Sequence, residues 1–120
     1  MQLAADPALT QKERAHALHE ARKAAKRARY AVEPLVPVYG EAADTLRKRL
    51  KKLQSTLGQH QDTVVTRAHL LDLARSGPDL DPRAALMAGA LVEREAMNAE
   101  RYERRVARAW SKAADVPLPQ

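Results

Sequence analysis

Cysteine is absent from the 120 residues. That excludes a disulfide framework, a thiolate zinc site and thiol catalysis. Phenylalanine is absent too, and the aromatic side chains are limited to Tyr30, Tyr39, Tyr102 and Trp110. Binders of single-stranded nucleic acid set stacking platforms among their cations, so this scarcity argues against base recognition. No apolar run approaches the ~20 residues of a membrane span, and the N-terminus lacks a signal-peptide core. The cytoplasm is the expected compartment. A Gly-rich phosphate loop, a zinc motif and an isolated pair of carboxylates are all missing. No catalytic residue, cofactor or metal is therefore assigned, and a non-enzymatic protein is expected. Acids are also short: 15 Asp and Glu face 21 Lys and Arg, for a formal charge of +6. The expected partners are anionic.

What the chain has instead is alanine, leucine and periodic cations. In residues 18–33, Leu18, Ala21, Ala25, Ala28 and Val32 fall within about 80° on a helix of ~100° per residue. They form a narrow apolar seam. His19, Arg22, Lys23, Lys26, Arg29 and Tyr30 cover the opposite side, with Arg27 beside them. Their heads repeat at about one helical turn, roughly 5.4 Å, a length scale on which the phosphates of a polyanion also repeat. Only Glu20 and Glu33 stand close enough in sequence to pair with them. Cations without partners repel one another, and a bound anion is the simplest reason to keep them.

The rest of the pattern is helical. Asp6-Pro7 reads as a cap and first turn, and the first helix is expected over about 7–33, ended by Pro34 and Pro37. Val38-Tyr39-Gly40 completes a turn. Leu46, Leu50, Leu53 and Leu57 mark a second helix over about 41–57, with Arg47, Lys51 and Gln54 beside its seam and Lys48, Arg49 and Lys52 spread around the rest. Gly58 is expected to break or kink it. Asp62 then caps a third helix over about 62–75, with Val65, Leu70, Leu71 and Leu73 on its apolar side; one bent helix over 41–75 is the alternative. Residues 76–82 read as a turn-rich loop. A last helix is expected over about 82–114, with an apolar stripe of Ala84, Ala88, Leu91, Tyr102, Val106, Ala109 and Trp110. Arg94, Arg101, Arg105, Arg108 and Lys112 line another face, where Glu93, Glu95, Glu100 and Glu103 can pair with some of them. Residues 116–120 look like a frayed tail. The expected fold is all-α, an antiparallel helical bundle of about four helices within a single domain over 1–120.

The stretch His19-x-x-Arg22-Lys23-x-x-Lys26-Arg27-x-Arg29-Tyr30 resembles the hallmark of the CHAD family, the conserved-histidine α-helical domain. Lys51-Lys52-Leu53-Gln54-Ser55-Thr56-Leu57-Gly58-Gln59-His60-Gln61-Asp62 is similar to that family's second conserved segment, and the arginine-rich last helix ending near Trp110 is similar to its C-terminus. The resemblance covers about residues 14–113. It implies a non-catalytic helical module that binds inorganic polyphosphate through a basic groove. The residues it points to are His19, Arg22, Lys23, Lys26, Arg27, Arg29, Tyr30, Arg47, Lys51, Lys52, Arg101, Arg105 and Arg108. It further implies association with polyphosphate granules or with triphosphate-metabolising domains. Complete domains of the family are about twice this length and built from two similar halves. This chain resembles the C-terminal half of that repeat, with no second His-x-x-Arg copy. A missing N-terminal half, or a homodimer that rebuilds it, is the expected complement.

Two other functions stay open at this level: a nucleic-acid-binding helical protein, and an accessory domain of a phosphate-metabolising enzyme. His16 and His19 share one side of a helix, but no third ligand is near and the surrounding charge opposes a cation. Arginine forks and lysine ammonium groups are suited to phosphate oxygens. Gln54 is placed to donate to the same groove. His60 and His69 receive no role.

Overall fold

The computed structural model describes residues 10–76 and 80–115. The expected Asp6-Pro7 cap, part of the 76–82 loop and the 116–120 tail lie outside them. Helix α1 spans Gln11–Val32, and its cap is Thr10, whose hydroxyl accepts the backbone N–H of Glu13 at 3.1 Å. α1 ends at Val32 close to the expected boundary, but not for the expected reason: Glu33 (φ −50°, ψ −47°) and Val36 (φ −58°, ψ −46°), which precede the two prolines, both keep helical dihedrals. Pro34 sits early in a 3₁₀ turn, Glu33–Leu35, and Pro37 early in a one-turn helix, Val36–Tyr39. Each occupies a first-turn position, where the missing N–H has no partner to lose. Gly40 has φ 66°, a left-handed conformation that suits a residue without Cβ, and the chain reverses there.

Helix α2 runs unbroken over Glu41–Ser76, 36 residues. Helix α3 spans Pro82–Ala114; its cap Asp81 accepts the Ala84 N–H at 2.8 Å, and Pro82 follows in the first turn. The described chain thus has three long helices rather than about four. Of the two expected arrangements, the division at Gly58 is overturned and the single helix over 41–75 holds; Asp62 is an exposed mid-helix residue, not a cap. A mid-helix glycine costs only about 1 kcal/mol, and burial of Leu53, Leu57, His60 and Thr63 on either side outweighs it. A Cβ at Gly58 would meet nothing closer than the Arg22 guanidinium, at 3.7 Å. Gly58→Ala is therefore expected to stabilise the chain by roughly 0.5–1 kcal/mol; a loss of stability in urea denaturation would contradict the unbroken helix.

Helix α2 is the middle member of a flat, elongated layer of 63 × 29 × 18 Å. α1 packs along one flank and α3 along the other, and they hardly touch each other. Both run antiparallel to α2. Arg22 reaches Gln61 from α1, while Arg49 reaches the Lys112 carbonyl and His60 faces Glu103 on α3. The core is small: Leu18 and Ala25 of α1, Leu53 and Leu57 of α2, and Val106 and Ala109 of α3. Several expected seam residues are not in it. Val65, Leu73, Leu91 and Trp110 are exposed. One continuous α2 turns Val65 and Leu73 away from the Leu53–Leu57 face, and a single flanking helix cannot cover the whole of α3.

Candidate functional site

The basic wall of α1 is turned by its apolar seam. Leu18 and Ala25 are buried toward α2, which leaves His19, Arg22, Lys26 and Arg29 along the flank nearest Gln54, Gly58 and Gln61 of α2. Arg22 is held there: its Nη1 donates to Gln61 Oε1 at 2.8 Å, and its guanidinium lies beside Gly58 of α2. Tyr30 is half exposed and organises its neighbours. The Arg29 guanidinium lies 5.1 Å, and the Lys26 ammonium 5.9 Å, from its ring centroid, within the range of a cation–π attraction. His19 lines a small cavity with Leu18, Leu57, Gln61 and Val64. Lys23 and Arg27 are exposed farther round α1.

The acids nearby are few and committed. Glu20 accepts from Lys23 at 3.2 Å, and that hydrogen bond holds the Glu20 carboxyl below its ordinary range. Glu33 stands 3.7 Å from Arg29. Asp44 accepts from Arg47 Nε and Nη2, at 3.0 and 2.8 Å, and lies 3.2 Å from Lys48; the Arg47 hydrogen bonds, then that of Lys48, lower its pKa. Arg47 is thus already partly neutralised. Among the described residues no carboxylate lies within 4.0 Å of the charged nitrogens of Arg22, Lys26, Arg27, Lys51 or Lys52. Three buried polar atoms along this part of the layer, His19 Nδ1, Arg29 Nε and Gln54 Oε1, find no hydrogen-bond partner among the described residues.

Helix α3 contributes differently from the expected shared groove. Arg101, Arg105 and Arg108 are exposed, and Arg105 lies 5.3 Å from the Tyr102 ring, but their helix packs on the flank of α2 opposite α1. Lys48, Lys51 and Lys52 stand exposed on the α2 ridge between. The cations therefore form two basic flanks astride a lysine ridge. The expected pairing of the α3 acids with its arginines is also absent among the described residues. Glu103 faces the buried His60 instead, 3.4 Å from Nε2.

Gln61 and His60 are the residues that the pattern of cations does not single out. Gln61 stands seven residues after Gln54, hence on the same face of an unbroken helix, and that spacing is its only signal. Among the described residues no group of three or more His, Asp or Glu side chains is placed to hold a metal ion, and no helix is long and apolar enough to cross a membrane.

Comparison with known proteins gives a family and distant context. The sequence model of the CHAD domain matches residues 1–71, which takes in all of α1 and most of α2. Two proteins of Mycobacterium tuberculosis, Uncharacterized protein MT2285 of strain CDC 1551 / Oshkosh and Uncharacterized protein Rv2226 of strain ATCC 25618 / H37Rv, are each 38% identical over 92 residues. The match covers 73% of this chain but 16% of either relative, so the chain spans about a sixth of their length. No solved structure matches.

Proposed function

The chain belongs to the CHAD-domain family, and on that premise we propose that it binds inorganic polyphosphate, without catalysis, through the basic α1–α2 face. The observation that carries this is the set of cations without carboxylates: Arg22 braced by Gln61, Lys26 laid against Tyr30, and Lys51 and Lys52 free on the adjoining ridge. A surface built for stability alone would pair such cations across the helix turns. Here they are positioned and left open. The buried polar atoms of His19 and Gln54 that find no hydrogen-bond partner among the described residues point the same way, since such atoms cost stability where packing is the only purpose. Arg101, Arg105 and Arg108 supply a second flank that a long anion reaches by crossing the α2 ridge.

Binding energy on such a surface is mainly electrostatic, and counterion release makes affinity fall steeply with salt. Titration with polyphosphates of graded length against a nucleic-acid control tests the assignment. Preference for nucleic acid would move the ligand to that class, and phosphate release by the purified chain with Mg²⁺ or Mn²⁺ would move the function toward enzymatic phosphate metabolism. Pairing with a further CHAD-like half, or with a second copy, and a place at polyphosphate granules belong to the same proposal.

Asp44 supplies a gain-of-affinity test. Asp44→Asn releases Arg47 and Lys48 and deletes one negative charge, so polyphosphate is expected to bind severalfold more tightly, read by isothermal titration calorimetry. Weaker binding would show that Asp44 orients Arg47 for the anion rather than withholding it. Acid should act in the same direction. The Asp44 and Glu20 pKa values are depressed in the folded chain, so their clasps contribute stability above the unfolded-state values. That contribution is lost as pH falls through the folded ones. Below the carboxylate range Lys23, Arg47 and Lys48 are released together.

A further inference from the structure

Arg47 and Arg22 are both held by side chains of the chain itself, but through different edges. Arg47 gives Nε and Nη2 to one oxygen of Asp44, at 3.0 and 2.8 Å. Those two N–H groups form a forked edge with which an arginine grips a carboxylate or a phosphate. On Arg47 that fork is occupied and its charge is matched. Arg22 gives Nη1 to Gln61 Oε1, at 2.8 Å. Its Nε and Nη2 take no part in that bond, and among the described residues no carboxylate lies within 4.0 Å of its charged nitrogens. The packing keeps this fork open. A Cβ at Gly58 would stand 3.7 Å from Nε and 3.8 Å from both Cζ and Nη2. With Cζ as near as the two nitrogens, the guanidinium turns its flat face, not its N–H edge, toward Gly58. The two fork donors therefore lie along the surface of α2 rather than into it, on a side chain that is exposed.

The chemistry of the brace matters as much as its geometry. An amide oxygen is neutral, so it fixes the guanidinium and leaves its charge intact; a carboxylate in the same place would fix it and cancel the charge. Gln61 reaches Arg22 from the neighbouring helix, 39 residues along the chain, and is itself half-buried. A side chain ordered in this way loses less freedom on taking up a ligand, which raises affinity without adding a contact. Asp44 with Arg47 and Gln61 with Arg22 are thus opposite arrangements on one surface, a clasped arginine and a presented one.

We propose that Gln61 is a positioning residue for the anion, its neutral amide holding Arg22 with the Nε–Nη2 fork open to one phosphate group. This deepens the proposed polyphosphate binding and rests on it. Two substitutions separate the brace from its packing: Gln61→Met keeps the volume and the helix propensity but removes the acceptor, and Gln61→Glu keeps the shape and adds a charge. Each is titrated with long-chain polyphosphate across a salt series and unfolded thermally. Gln61→Met is expected to weaken binding about two- to fivefold, with the salt slope unchanged because Arg22 keeps its charge. Gln61→Glu is expected to weaken it by roughly tenfold and to flatten the salt slope by about one phosphate contact, while the unfolding midpoint holds or rises. A purely structural role for Gln61 would leave the slope alone and make affinity follow stability. In an Arg22→Ala background Gln61→Met should have no further effect, and Arg22→Lys, which keeps the charge without the fork, should not bind as the wild type does. Gln61→Glu binding as tightly as wild type, Gln61→Met losing as much affinity without Arg22 as with it, or Arg22→Lys matching wild type would each overturn the brace and leave the binding proposal standing. A wild-type chain that binds no polyphosphate even at low salt would overturn both.

Discussion

Leu57→Ala is expected to lower the unfolding free energy by about 2–5 kcal/mol, the range for removing most of a buried leucine. Leu57 is 1% exposed and belongs to the small core that α2 shares with Leu18 and Ala25 of α1 on one flank and Val106 and Ala109 of α3 on the other. In a thick globular core the neighbours would partly refill the space. In a layer 18 Å across, with alanines on both sides, there is little to move in. Small domains are stable by only ~5–15 kcal/mol in total, so the loss is a large fraction of the whole. Urea denaturation followed by circular dichroism reads it directly. The matched substitution Leu86→Ala, at a side chain already in solvent, should stay within about 0.5 kcal/mol of wild type. Similar effects at the two sites would mean that the packing around α2 is not as described.

Reversing Arg22 and Lys26 to glutamate together is expected to weaken polyphosphate binding by roughly two orders of magnitude. A single screened phosphate contact is worth on the order of 1 kcal/mol, or about fivefold. Reversal removes two such contacts and adds two repulsions. Both side chains are exposed, so the helix is expected to survive. The control is Arg75→Glu with Arg83→Glu, where α2 ends and α3 begins, which changes the net charge equally. If the control loses as much affinity, the anion responds to overall charge and not to a surface on α1. Lys26→Arg should retain binding, since the charge and the contact with Tyr30 both persist.

Much of this surface was legible in the chain. The prolines at 34 and 37 and the periodic leucines placed the C-terminal end of α1 and the seam of α2, because breakers and periodicity act locally. The join across Gly58 was not legible. The apolar seam that reads Leu46, Leu50, Leu53, Leu57 continues through His60, Val64, Arg67 and Leu71, and two of those four are polar by type. His60 is nevertheless buried because Glu103 meets it from another helix, a partner that only tertiary structure supplies. The same limit applies to the cations. Helical spacing assigned Arg22 and Lys26 to one wall, but whether α3 closes that wall into a groove depends on which flank of α2 it takes. It takes the flank away from α1, so Arg101, Arg105 and Arg108 stand across the Lys48–Lys51–Lys52 ridge.

The central claim, that α1 and α2 present an open cationic face for a long inorganic polyanion, is tested most directly by one titration. Long-chain polyphosphate and a DNA duplex, matched in phosphate concentration, are titrated into the full chain across a salt series. The predicted result is tighter binding of polyphosphate, with affinity falling steeply as salt rises and largely lost in the Arg22→Glu, Lys26→Glu variant. Displacement of polyphosphate by the duplex at equal phosphate concentration, or binding that persists unchanged into molar salt, would contradict it.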